Sequence, residues 1–208
     1  QEDRWITHRL YEAGTDTRIA QEMVLGIGGV RALGWLGLNV QVYHFNEGHA
    51  VFAGLERIAE LMEAGLQFPD AWARVRQQTV FTTHTPVPAG HDRFPGHLVD
   101  EHLGPLRESI GLGHEDLMGL GRVNPGDHGE AFCMTVLALK ASRRANAVSS
   151  LHGEVSRAMW TGLTAGGGRR ISIGHVTNGV HVATWLAPQM RRVYDRYTGP
   201  DWLLRASD

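Results

Sequence analysis

Residues 79–95 read TVFTTHTPVPAGHDRFP, and they hold the types and spacings best suited to chemistry. A β-branched apolar run, Thr79 to Thr83, stops at His84; two prolines, a glycine and the pair His91-Asp92 come after it. Strand signals end where turn signals begin. That order sets His84 at the carboxyl end of a strand, where open α/β sheets bind their ligands. Pro86 and Pro88 fix their own φ and push Thr85 and Val87 toward extended geometry. Such a loop is stiff and presents a side chain or a carbonyl at little ordering cost. A plain proline-rich connector with surface histidines fits the same residues.

Other groups could join it. Asn46-Glu47-Gly48-His49 ends a strand-like run, and a helix begins at once. A carboxylate and an imidazole two residues apart at such a turn can act on one ligand, and the same residues could simply cap the helix. Thr177-Asn178-Gly179 offers an amide to a polar ligand, or only an Asn-Gly turn. Twelve histidines raise the question of a metal held by His44, His49, His84 and His91. No HExxH and no paired CxxC occurs, so no metal site is assigned. In Ser149-Ser150-Leu151-His152 neither serine sits in a GxSxG elbow, which argues against a hydrolase triad. Gly26, Gly28 and Gly29 lie inside a helical run rather than after a strand, so they indicate close helix packing rather than a dinucleotide loop.

The elements that must position these residues alternate. Arg18 to Leu33 reads as a buried helix capped by Asp16 or Thr15, and Trp5-Ile6 is strand-like. Leu38–Phe45 alternates as a strand, a helix runs through Phe52, Leu55 and Ile58, and a second helix, Pro69–Gln78, leads into the Thr79 strand. Strand, helix, helix, strand predicts a parallel pair with a crossover. The Glu47–His49 turn and the His84 loop then share one sheet edge. Helices are expected at Leu98–Ile110, His114–Leu120, Ala131–Arg143 (amphipathic), His152–Trp160 and Ala187–Tyr197. Strands are expected around Asn146–Ser149 and Ile171–Val176. Residues 124–127 form a turn and 165–170 a flexible loop.

The chain has 208 residues, 42% hydrophobic and 20% charged, enough for one sizeable α/β core. A net charge of -2 gives no nucleic-acid or anionic-membrane signal. One cysteine, Cys133, rules out an internal disulfide framework and suits a reducing cytoplasm. The chain starts at Gln1 and stops at Asp208 inside what reads as ordered sequence, and it is expected to be an internal piece of a longer protein.

Five stretches, LYEAGTDTRIAQEMVLGIGGVRAL, FNEGHAVFAGLERI, VFTTHTPVPAGHDRFP, NAVSSLHGEVSRAMW and GHVTNGVHVATWL, together resemble the glycogen/α-glucan (maltodextrin) phosphorylase family, closest to its bacterial branch. The resemblance covers almost the whole chain. It implies a two-lobed GT-B, Rossmann-like glycosyltransferase with a parallel sheet flanked by helices. Residues 1–176 would belong to the first lobe and 177–208 would cross into the second. It implies reversible phosphorolysis of α-1,4-glucan by inorganic phosphate to glucose 1-phosphate. Pyridoxal phosphate would sit on a lysine in the missing second lobe, its phosphate serving as acid–base partner to the substrate phosphate. The chain alone would be inactive, and an oligomer is left open.

By the same resemblance, His84 matches the histidine whose imidazole and carbonyl face the reacting glucosyl unit. Asn178 would bind the glucosyl 6-hydroxyl, Glu47 and His49 would line the other side of the pocket, and Asn146 and Val148 would pack beneath the sugar. Asp92 resembles the loop after the catalytic histidine. Relatives carry Gly-Gly-Asp after the Leu-Tyr pair, where this chain has Glu12-Ala13-Gly14, which puts that loop's gating role in question. Two other readings fit the elements: a GT-B transferase using a nucleotide sugar, or a non-catalytic carbohydrate-binding α/β domain.

Overall fold

The computed structural model describes residues 2–10, 14–165 and 169–205. It divides into two compact units, residues 1–177 and 178–208.

The first unit opens with a 3-10 helix, Glu2–Thr7, where the Trp5-Ile6 pair suggested a strand. Helix α1 (Thr15–Met23) passes through a π turn (Val24–Gly28) into α2 (Gly29–Trp35). The residue preceding α1 is Gly14, so neither Asp16 nor Thr15 caps it; Asp16 instead lies in the first turn, where the helix dipole favours an acid. Gly26 explains the close packing. A Cβ there would stand 2.8 Å from the Ala53 nitrogen and 3.1 Å from the Ala50 oxygen.

Strand β1 (Tyr43–Asn46) is shorter than the alternating run Leu38–Phe45 suggests. Among the described residues it pairs with β2 (Thr79–Thr83) alone, from Tyr43 opposite Thr79 to Asn46 opposite Thr82, and the residues before it have no strand to pair with. Between them lie α3 (Phe52–Glu63) and α4 (Phe68–Gln78). Phe52, Leu55 and Ile58 recur every three residues and are buried. Pro69 opens α4, Asp70 complements its first turn and Arg76 its last.

After β2 come β3 (Arg93–Phe94), α5 (Gly96–Ser109), α6 (His114–Gly121), β4 (Phe132–Cys133) and α7 (Met134–Ala141). The expected amphipathic helix 131–143 is thus two elements. Phe132 and Cys133 pair antiparallel with Phe94 and Arg93. The helix itself is buried at every position except the half-buried Lys140, so it is a core helix rather than a surface one.

Strand β5 (Arg144–Ala147), α8 (Ser150–Met159), a short hairpin of β6 (Thr164–Ala165) and β7 (Arg169–Arg170), and β8 (Ile173–His175) complete the first unit. Residues 166–168 and the Glu12-Ala13 part of the proposed gating loop fall outside the described residues. The sheet runs β1-β2-β5-β8, all parallel. Phe45, Phe81, Ala145, Ala147 and Ile173 are buried, whereas His44, Asn46, Arg144 and Gly174 alternate with them and are exposed.

The second unit holds α9 (Val182–Trp185), α10 (Pro188–Thr198) and α11 (Trp202–Arg205). The rings of Tyr194 and Trp202 lie 4.8 Å apart, and Trp202 Nε1 donates to Asp195 at 3.0 Å. Among the described residues, no helix is long and apolar enough to cross a membrane.

Candidate functional site

The site is built at the carboxyl ends of β1 and β2. Glu47 comes directly after β1, and its amide extends the ladder by donating to the Thr82 carbonyl at 2.9 Å. The chain must then turn sharply over α7. Gly48 is buried against Met134, where an added Cβ would stand 3.0 Å from that residue's own Cβ. Glu47 absorbs the turn with φ 65 and ψ -179, the only positive φ at a non-glycine residue among those described. A backbone held there costs on the order of 1–3 kcal/mol, so the surroundings must over-determine it.

They do so through the Glu47 carboxylate. Its Oε1 accepts from the Thr85 amide at 2.8 Å, from the His84 amide, and from the Thr83 hydroxyl at 3.3 Å. Its Oε2 accepts from the Gly48 amide at 3.3 Å. Two successive amides converging on one oxygen form an anion nest, here filled by the protein's own side chain. The His84 loop is therefore tied to the Glu47 turn, as a shared sheet edge requires, while the His84 side chain itself is exposed.

His152, at the start of the helix that follows the neighbouring parallel strand β5, braces the loop from the same sheet edge. Ser149 caps α8 by accepting from the His152 amide at 3.1 Å. The ring's Nδ1 accepts from the Val148 amide at 3.3 Å. Its proton therefore sits on Nε2, which donates to the Thr85 carbonyl at 3.2 Å. Asn146, two residues before Val148, lies on the sheet face. Its Oδ1 accepts from the Thr82 hydroxyl at 3.1 Å, which commits that hydroxyl's proton; His44 Nε2, 2.7 Å from Thr82 Oγ1, must donate to it.

His49 belongs to a second cluster. Its Nδ1 lies 2.5 Å from Arg18, 3.5 Å from Asp92 and 3.7 Å from Glu22. Arg18 also pairs with Asp92 at 3.0 Å and with Glu22 at 3.3 Å. Burial pushes the Glu22 carboxyl up to about 8. Asp92 and then Glu22 draw the His49 pKa up to about 9, against the opposing Arg18 charge. Burial works to raise Asp92, but hydrogen bonds from His49 and Arg18 hold it well below the usual carboxylate range. Arg18 and His49 line both a cavity of about 660 Å³ beside residues 88–94 and a smaller one of about 210 Å³ toward Thr7 and Leu10.

The four histidines weighed for a metal do not gather. Among the described residues, the one grouping of ligand types is Glu22, His49 and Asp92, and Arg18 contacts all three. His91 is a core histidine, bonded to the Thr135 hydroxyl at 2.8 Å and edge-on to Trp160, with its pKa lowered by burial. Asn178 is exposed and lies in the second unit. Sequence reasoning missed Arg18 and Glu22, and it weighed His152 only beside Ser149 and Ser150 for a hydrolase triad. The first two carried a signal: a charged i,i+4 pair beside the apolar residues of a helix read as buried. Lys140, the only lysine, donates to the Gly119 carbonyl at 2.8 Å and the Arg122 carbonyl at 2.6 Å, and burial pushes its pKa down to about 8.

No protein-family model matches the chain. Individual proteins do. The maltodextrin phosphorylase of Thermococcus litoralis is 46% identical over 202 residues, 97% of this chain and 24% of that protein. The glycogen phosphorylase of Mycobacterium tuberculosis is 45% identical over 96% of this chain and 24% of its own length. That of Aquifex aeolicus is 36% identical over 97% of this chain and 29% of its own length. Nearly the whole chain is thus similar to one stretch of these glycogen and maltodextrin phosphorylases, and it spans about a quarter of the length of the relatives it matches.

Proposed function

We propose that the chain is part of an α-1,4-glucan phosphorylase, which uses inorganic phosphate to release α-D-glucose 1-phosphate reversibly. The observation that carries this reading is the 46% identity along 97% of the chain to a maltodextrin phosphorylase. In such a reaction the bond from the anomeric carbon to the departing oxygen breaks. A proton passes from phosphate to that oxygen, and a phosphate oxygen takes its place with retention. Positive charge gathers at the anomeric carbon on the way. On this reading the His84 carbonyl faces that charge, and a dipole already fixed in place stabilises it without reorganisation. Asn178 holds the 6-hydroxyl, Asn146 and Val148 lie beneath the sugar, and Glu47 and His49 stand on its other side. Residues 1–176 belong to the first GT-B lobe and 177–208 enter the second.

Pyridoxal phosphate, which the family implies, does not fit the residues present. The only lysine is committed to two backbone carbonyls between α6 and α7. The cofactor's lysine belongs to the part of the protein outside this chain. A buried free cysteine suits a cytoplasmic protein. The test is an assay of the complete protein with maltodextrin and inorganic phosphate. Phosphate-dependent release of glucose 1-phosphate is expected. Turnover of a nucleotide sugar without need of phosphate would support a different GT-B transferase, and glucan binding with neither reaction a binding domain.

A further inference from the structure

The residues around His84 assign a role to Glu47 and His152 that neither the sequence nor the relatives supply. Among the described residues every peptide bond is trans. In a trans peptide the N–H and the C=O point in opposite directions. The Thr85 amide and the His84 carbonyl belong to one peptide plane. Glu47 Oε1 takes the Thr85 N–H at 2.8 Å, so the His84 carbonyl is aimed away from Glu47. The preceding plane is held too, because the same oxygen takes the His84 N–H. The next plane along the chain is held by His152, whose Nε2 donates to the Thr85 carbonyl at 3.2 Å. Three consecutive peptide planes are thereby fixed by two side chains, one from the turn after β1 and one from α8. Pro86 removes the next amide and stiffens the backbone beyond it.

We infer that Glu47 and His152 are positioning residues that set the direction of the His84 carbonyl, and that Glu47 acts on the protein backbone rather than on the sugar. The inference rests on the proposed function, which puts that carbonyl against the anomeric carbon. The bond from Glu47 also has an electronic effect. A carboxylate accepting from an amide N–H polarises the peptide and enlarges the negative charge on its carbonyl oxygen, since hydrogen bonds in series strengthen one another. Glu47 thus both aims the dipole and deepens it. The positive φ of Glu47 has its explanation here: an unfavourable backbone is kept because it brings the carboxylate to the His84 and Thr85 amides.

The variants are Glu47→Gln, which keeps the shape and an acceptor but loses the charge, and Glu47→Ala, which loses both. Two measurements on the complete protein separate positioning from sugar binding. In steady-state phosphorolysis, Glu47→Ala is expected to lower kcat on the order of 10²-fold with the glucan KM within about twofold, and Glu47→Gln to fall between it and wild type. Amide hydrogen exchange at His84 and Thr85 is expected to quicken by about tenfold or more in Glu47→Ala, as a bond to a charged acceptor is lost. Unchanged exchange at those amides would overturn the clamp. A strongly raised KM with kcat intact would make Glu47 a sugar ligand and overturn the positioning role. A wild-type protein without phosphorolysis would refute the proposed function and this inference with it, whereas an active wild type with an unaffected Glu47→Ala kcat refutes this inference alone.

Discussion

Glu22 is 1% exposed, and among the described residues neither of its carboxylate oxygens receives a hydrogen bond, although Arg18 stands 3.3 Å away. Leaving such a group ionised is costly, and burial raises its pKa from 4.5 to about 8. The folded chain then holds a proton that the unfolded chain has lost, so stability falls as pH rises from about 4.5 to about 8. His49 acts in the same direction between 6.5 and about 9. Asp92 has the opposite sign: its depressed pKa contributes stability above 3.8 that is lost as pH falls toward its folded value. Glu22→Gln copies the protonated carboxyl and should flatten the alkaline decline. Urea midpoints at about pH 5.5 and about pH 8.5 are expected to differ more in wild type than in the variant; equal differences would show that Glu22 does not titrate in this range. At this scale the sequence was only partly legible. His84 and Glu47 were readable as residues at the ends of strands. The hydrogen bond from the Thr85 amide to Glu47 was not, because it joins positions 38 residues apart and depends on where a side chain reaches.

Among the elements, parallel pairing and the order of helices were legible from periodicity and turn residues. The errors fall where tertiary packing overrides a local pattern. Phe132 and Cys133 carry the apolar spacing of the helix after them, yet they leave it to pair with Arg93 and Phe94. The three glycines of the first long helix show what the sequence could and could not separate. Gly26 is pressed against the backbone of Ala50 and Ala53, whereas Gly28 and Gly29 have nothing within 4 Å of an added Cβ. Only the first is required by packing. Gly26→Ala is expected to destabilise by roughly 1–3 kcal/mol through overpacking against backbone that cannot yield. Gly28→Ala is expected to be neutral or to stabilise by up to about 1 kcal/mol, since it lowers the entropy of the unfolded chain and improves helix propensity. Denaturant melts of the two variants check the pair, and equal effects would remove the packing explanation.

For the molecule as a whole, the sheet gives the broadest constraint. All-parallel sheets are normally covered on both faces, yet His44, Asn46, Arg144 and Gly174 are exposed on one side of this one. The polar chain from His44 through Thr82 to Asn146 runs along that side. These features accord with a chain that spans about a quarter of its relatives' length, and the proposed reaction belongs to the complete protein. The most direct measurement is therefore steady-state phosphorolysis by the complete protein carrying His84→Ala. Removing a preorganised group that acts mainly in the transition state lowers kcat, here on the order of 10²-fold, with little change in the KM for glucan. The loss is smaller to the extent that the backbone carbonyl, which alanine keeps, carries the effect. Asn178→Ala is the comparison, expected to weaken glucan binding as well as turnover, since a hydroxyl left unpaired is felt in both states. A kcat within about twofold of wild type, together with a strongly raised KM, would make His84 a binding residue and contradict its place at the reacting sugar.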